Sequence, residues 1–223
     1  MGRAGRIVAV LAGVLVLVLV LAQLLLPGLA AGRISSRVGR YGSVRSVSVS
    51  AWPAVKLLWG KADSVHVDAN SLSLTPAQTA ALLWEARGAD SLQVSAANVQ
   101  EGTLRLSDAR LSKHGSTLSA EALAGEASVR AALPEGLGVQ LLRSEGGQVE
   151  VRASGRLFGV GASVDAVAGA SEGKLVAHPL GLLVEGLRLT LFSDPHVYVQ
   201  AVGASVQPGT PRTYRLTMRA SLR

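Results

Sequence analysis

Residues 43–52 read SVRSVSVSAW. Val47, Val49 and Ala51 stand at every second position, with Ser46, Ser48 and Ser50 between them. Side chains of a strand alternate between faces, so this stretch predicts a strand with one buried and one wet face. The same period returns in ADSVHVD (62–68), where Val65 and Val67 face inward and Ser64, His66 and Asp68 share the polar face, and Leu72 and Leu74 close that run. It returns again from Ser91 onward. Leu92 and Val94 form one apolar pair, and Leu104 and Leu106 another with Arg105 and Ser107 opposite. Further alternating runs begin at Thr117, Val139, Gln148, Val160, Lys174, Val197 and Arg212. Lys113–Ser116, Gly146–Gly147, Glu172–Gly173, Asp194–His196 and Pro208–Pro211 punctuate them as turns. About ten strands with hairpin-length turns are expected, and no strand–helix rhythm follows Ser91, which argues against a doubly wound parallel sheet.

Helices are few. Trp52-Pro53-Ala54-Val55-Lys56-Leu57-Leu58-Trp59-Gly60 fits one or two turns, with Pro53 at the start and Gly60 as the cap. Thr75 as N-cap and Pro76 at the first helical position open a second helix, AQTAALLWEAR, with Gly88 as its stop. Its stripe of Ala80, Leu83 and Trp84 should pack on the sheet. Arg130–Leu133, ended by Pro134, is a short third candidate. The fold expected is mainly β (α+β): a long, strongly curved antiparallel sheet with one or two helices on its concave face.

Upstream lies IVAVLAGVLVLVLVLAQLLL, Ile7 to Leu26, uncharged and interrupted only by Gly13 and Gln23. As a helix its twenty or so residues span about 30 Å, the thickness of a bilayer's hydrocarbon core. Arg3 and Arg6 precede it as a basic flank. A signal peptide's apolar region runs about 7 to 15 residues, so the length favours a retained anchor. Pro27-Gly28-Leu29-Ala30-Ala31 nevertheless offers a breaker and small residues, where cleavage after Ala30 or Ala31 is the alternative. Arginines on both sides leave the orientation undecided. Residues 1–32 are thus read as signal anchor or signal peptide, 33–42 as a juxtamembrane stalk with Ile34 and Val38 opposite Arg33, Arg37 and Arg40, and 43–223 as one β-rich domain. In either case the domain is expected outside the cytoplasm.

Composition removes several functions. There is no cysteine among the 223 residues, which excludes disulfides, thiolate metal sites and cysteine catalysis. The net charge of +7 comes from 22 basic and 15 acidic residues; without Arg3 and Arg6 the balance is 20 against 15, or +5. That excess suits anionic lipid headgroups. Its residues are scattered singly without aromatic interleaving, so nucleic acid is not expected. His66, His114, His178 and His196 show no metal-ligand spacing. His66 with Asp63 and Asp68 is read as a polar outer face, and Gly159-Val160-Gly161 as strand glycine near a bend. No nucleophile, metallohydrolase or phosphate-loop motif is present, so neither an enzyme nor a cofactor is expected.

The order of features, with WPAVKLLWGKADSVHV (52–67) at its centre, resembles the LmeA-type phospholipid-binding proteins of actinobacterial envelopes. Trp52-Pro53, Leu57-Leu58, Gly60-Lys61 and Ser64–Val67 match that family's pattern, while Ala54 and Ala62 stand where it has aromatics. SLQVSAANVQEGTLRLSDARLS, GGQVEVRASGRLFGVGASVDAVA, EGKLVAHPL and LTLFSDPHVYVQAVGASV resemble its later strands. The resemblance implies an envelope protein that holds phospholipid, or another envelope lipid, in an apolar groove, with a place in lipid or lipoglycan assembly. Trp52, Val55, Leu57, Leu58, Trp59, Leu83 and Trp84 are the lipid-contacting candidates, and Lys56 and Lys61 the headgroup candidates. The competing expectation is a solid-cored structural module whose strand edges bind another envelope protein. Oligomeric state is left open.

Overall fold

The structure, a computed structural model, describes residues 3–223 apart from 134, 158–159, 182–187 and 210, together with the side chains of these residues other than 3–15, 17, 19, 76, 156–157 and 160. Most of the alternating runs are strands. The elements are α1 (Arg3–Val38), β1 (Gly42–Ser50), β2 (Ala62–Ser73), α2 (Pro76–Glu85), β3 (Ala89–Glu101), β4 (Leu104–His114) and β5 (Thr117–Gly125). After these come α3 (Glu126–Ala131), β6 (Gly138–Glu145), β7 (Gln148–Leu157), β8 (Val160–Ser171), β9 (Lys174–Leu180), β10 (Leu189–Phe192), β11 (Val197–Gln207) and β12 (Thr213–Leu222).

Two sheets form, not the single one expected. The first has the order β1-β2-β3-β4-β5-β12-β11 and the second β10-β9-β8-β7-β6. All pairings among these strands are antiparallel except β2 with β3, which run parallel from Ala62↔Ala89 to Ser73↔Gln100. The exception has a local cause. Thr75 caps α2 by accepting from the Gln78 backbone N–H at 3.3 Å, while the Gln78 side chain accepts from the Thr75 N–H at 2.8 Å. The helix carries the chain back over the sheet, so β3 must start beside the start of β2. Three further expectations are corrected. The Arg130–Leu133 helix lies earlier, at Glu126–Ala131. The run from Lys174 to Phe192 is two strands, with 182–187 between them outside the described residues. The turn read from Lys113 begins later, because β4 continues through His114.

The main core lies on one face of the first sheet. Val49, Val65, Leu92, Leu118 and Ala220 are buried there beneath Ala80 and Leu83 of α2. Lys113 belongs to the same row, paired with Leu92 and Leu118, and only 3% of its surface is exposed. Its ammonium donates to the Ala89 carbonyl. Burial pulls the Lys113 pKa below the ordinary 10.5, with nearby Asp90 opposing the shift. A depressed amine pKa means that the unfolded chain holds more protons between the folded value and 10.5, so stability rises with pH through that window. The variant K113M is therefore expected to be the more stable protein at neutral pH, by about 1 kcal/mol. Its advantage over wild type should shrink as unfolding is measured at pH values rising toward 10.5. A gap that is constant with pH would mean the buried amine does not titrate with folding.

The other face of this sheet is a serine-rich polar surface, as SVRSVSVS implied. Its far edge, β11, is not open. The Val199 and Val202 N–H groups donate to the Gly173 and Gly147 carbonyls at 2.8 and 2.9 Å, and the Ala204 N–H donates to Ser144 Oγ at 2.9 Å. Hairpin turns of the second sheet thus abut the edge of the first. Gly173 is required there: its φ is +79°, and a Cβ would come within 2.1 Å of the Tyr198 ring.

The N-terminal helix differs most from expectation. It does not stop at Pro27 but runs unbroken to Val38. From Ala22 on, its half-buried positions are 22, 23, 26, 27, 30, 31, 34, 35 and 38, one stripe at helical spacing. Ala30, Ala31, Ile34 and Val38 of that stripe pack on the main core. Arg37 bonds Glu85 of α2 at 2.6 Å. Residues 33–38 thus continue α1 as docked amphipathic helix, with Ile34 and Val38 on the packed side and Arg33 and Arg37 exposed, the division their spacing implied. Pro27 forfeits one backbone bond, and the docked stripe offsets that loss. Among the described residues no helix is long and apolar enough to cross a membrane. The side chains of Ile7–Leu15 lie outside those described.

Candidate functional site

The segment between β1 and β2 forms a tip at one end of the first sheet. After the cis Trp52–Pro53 peptide, Ala54–Trp59 makes a short 3₁₀ helix, closed by Gly60 at φ +68°. Proline sets the entry and glycine supplies the left-handed exit, as the sequence suggested. The residues divide sharply. Ala54 is buried, and Leu57 is half-buried against the core, as Val55 is half-buried beside it. Trp52, Leu58 and Trp59 are 72%, 67% and 71% exposed.

One residue locks this tip to α1. The Gln23 side-chain amide donates to the Ala51 carbonyl at 3.1 Å and accepts from the Ala54 N–H at 2.8 Å. Both partners are buried residues. Sequence reading noted Gln23 as an interruption of the apolar run and gave it no role. Its signal was that single interruption: a lone amide in such a helix needs a partner. The bonds set Leu24 and Leu25, 71% and 61% exposed, at the level of the tip, and the exposed Val16, Val18, Val20 and Leu21 lead away from it. Trp52, Leu58 and Trp59 are thus exposed on a tip that Gln23 holds against α1, a helix whose own exposed side chains from Val16 to Leu25 are apolar.

The headgroup candidates differ in freedom. Lys56 pairs with Asp63 at 3.0 Å, and Asp63 also accepts the Trp52 N–H at 2.5 Å. Lys61 is exposed, with no bond to an acid among the described residues. The Lys56 hydrogen bond, then that of the Trp52 amide, holds the Asp63 carboxyl below its ordinary 3.8. A depressed carboxyl pKa supports the fold above 3.8 and loses that support as pH falls through the folded value. The tip should therefore keep its conformation across about pH 5 to 8, and Trp fluorescence should change only below 3.8. D63N should loosen it across about pH 5 to 8 and differ little from wild type once Asp63 is itself protonated. A fluorescence transition in wild type near pH 6 would contradict this.

The remaining candidates lie elsewhere. Leu83 is in the core, on the sheet-facing side of α2. Trp84 is half-buried, its ring 4.2 Å from that of His196 and under the Arg87 guanidinium at 4.2 Å. Gly88, just beyond, closes on Gly60: a Cβ there would meet the Gly60 oxygen at 2.2 Å. The carboxyl end of α2 thus arrives beside the tip. His66 faces Gln93 at 3.2 Å, and Asp68 pairs with Arg45 at 3.1 Å, ordinary partners on the polar face. No group of metal-ligating side chains occurs among the described residues. No family model, curated protein or solved structure matches the chain.

Proposed function

We propose that this chain is a non-enzymatic lipid-binding protein of the extracytoplasmic membrane surface, held there by an uncleaved α1. The observation that carries the reading is the exposed Trp52, Leu58 and Trp59 on a tip that Gln23 pins to α1, whose exposed side chains from Val16 to Leu25 are apolar. Tryptophan combines a large apolar ring with an N–H that needs a polar partner, which suits it to the bilayer interface. An apolar patch on a helix leading into a twenty-residue apolar run has a bilayer as its natural cover. On the outward side of α1 the exposed leucines end at Leu29, and Arg33 follows one turn later, about 6 Å on, a distance comparable to the headgroup layer.

Lipid would be held on the core face of the first sheet, past the part covered by α1 and α2. There Val202, Leu216 and Met218 are only half-buried. An acyl chain along them would gain about 0.8 kcal/mol per buried CH₂. The LmeA-type resemblance points the same way. Native mass spectrometry of the full chain extracted from membranes should show a bound phospholipid by its mass. Protein that carries no lipid and takes none from vesicles would sink the proposal.

The second reading is a structural module of the envelope. It is favoured by the filled packing of Ala80 and Leu83 into the sheet, which leaves no room for a ligand at that end. It predicts a bound protein, and no lipid, in the same spectra.

A further inference from the structure

A cavity of about 820 Å³ opens on the opposite, polar face of the first sheet. Two neighbouring cross-strand rows floor it. One runs Gln93–Ser112–Ser119–Arg219 and the other Ser95–Arg110–Glu121–Thr217. The β6–β7 turn, Ser144 to Gly147, walls one side, held by the bonds that Ser144 and Gly147 accept from β11. Gly203 keeps the floor open, since a Cβ there would meet Thr217 Oγ1 at 2.7 Å.

Charge in this cleft is unevenly answered. Arg215 pairs with Glu121 and so takes up one of the two acids of the lining. Among the described residues Arg110 and Arg219 have no ion-pair partner, and Glu145 is the remaining acid against them. They stand two strands and one row apart, about 12 Å, so that two long side chains can reach one anion between them. Around them are the hydroxyls of Ser112, Ser119, Ser144 and Thr217. No Phe, Tyr or Trp lines the cleft, and His66 at its rim is already engaged with Gln93 at 3.2 Å, which disfavours bases or sugars held by stacking.

We infer that this cleft is a binding site for an organic phosphate ester. Guanidinium forks match phosphate oxygens in bidentate geometry, and hydroxyls donate to the oxygens that remain. The volume exceeds the need of a bare phosphate and falls in the range of small-molecule sites. The site is separate from the tip: His66, on its rim, is on the sheet face away from α1 and α2, and the inference stands whether or not the tip meets a bilayer.

The test uses the full chain in detergent at low ionic strength and two probes. One is glycerol 3-phosphate; the other is dihexanoyl phosphatidylglycerol below its micellar concentration. Isothermal titration should detect at least one. Binding of the soluble ester identifies a free metabolite as a sufficient source, and binding of the short-chain lipid alone identifies a headgroup. R110Q and R219Q should each weaken the bound probe about tenfold or more, and R110K and R219K should weaken it less than the glutamines do. Circular dichroism controls for folding of each variant. Glycerol 3-phosphate has no acyl chain for the tip to hold, so its titration separates failure here from failure of the membrane reading. Absence of binding by both probes, or binding indifferent to both arginines in folded variants, overturns the inference.

Discussion

A chain shortened to begin at Gly32, the product of cleavage after Ala31, is expected to fold poorly or not at all. The shortened chain loses both Gln23 bonds, so the buried Ala51 carbonyl and Ala54 amide go unpaired. Each orphaned group costs about 1 to 3 kcal/mol. Ala30 and Ala31 leave the core as well. Together these losses come to about 4 to 7 kcal/mol, a large share of the 5 to 15 kcal/mol that holds a typical domain together. Q23A in the full chain isolates the polar part and should cost about 2 to 4 kcal/mol by itself. Denaturant unfolding of the full chain, Q23A and the shortened chain measures all three. If the chain starting at Gly32 is as stable as the full one, α1 is a dispensable leader and the anchor reading fails.

The second large effect concerns the tip. In vesicles, single-tryptophan variants retaining Trp52 or Trp59 should be strongly quenched by lipids brominated near the headgroup. The variant retaining Trp84, half-buried beside His196, should not be, and so serves as the internal reference. A tryptophan ring presents about 150 to 250 Å², so moving most of it from water is worth about 2 to 4 kcal/mol. W52S/W59S should therefore weaken the tip's seating by three orders of magnitude or more, with little loss of stability because both rings are already in water in the folded protein. Equal quenching of all three tryptophans, or of none, would remove the tip from the membrane.

How far the sequence carried differs between the scaffold and the site. Period-two runs found the strands, and Thr75, Pro76 and Gly60 found their helix ends, because these are local rules acting on neighbouring residues. The parallel β2–β3 pair was missed although α2 had been placed between them, since strand direction depends on where the helix deposits the chain. Lys113 was read as a turn residue for its type and its neighbour Gly115, while its position two along from Leu111 placed it in the apolar row. Pro27 was read as a break because propensity cannot see the sheet that α1 docks on. At the site, WPAVKLLW announced an apolar cluster without saying which side chains face out. The structure separates Trp52, Leu58 and Trp59 from Ala54 and Leu57, and moves Leu83 into the core. The phosphate cleft was beyond reach of the sequence, since Arg110 and Arg219 meet only through the registers of three strands.

The closed edge at β11 bears on how such a protein lives among its neighbours. Chains confined to a surface meet far more often than chains in solution, and an open strand edge is a template on which another β-rich chain can add. Along β11, amides that could recruit a strand are already given to Gly173, Gly147 and Ser144 of the same molecule. A partner that joined by strand addition there would first have to displace the second sheet. Crowding on a membrane would then bring copies of this chain together without strand addition at β11.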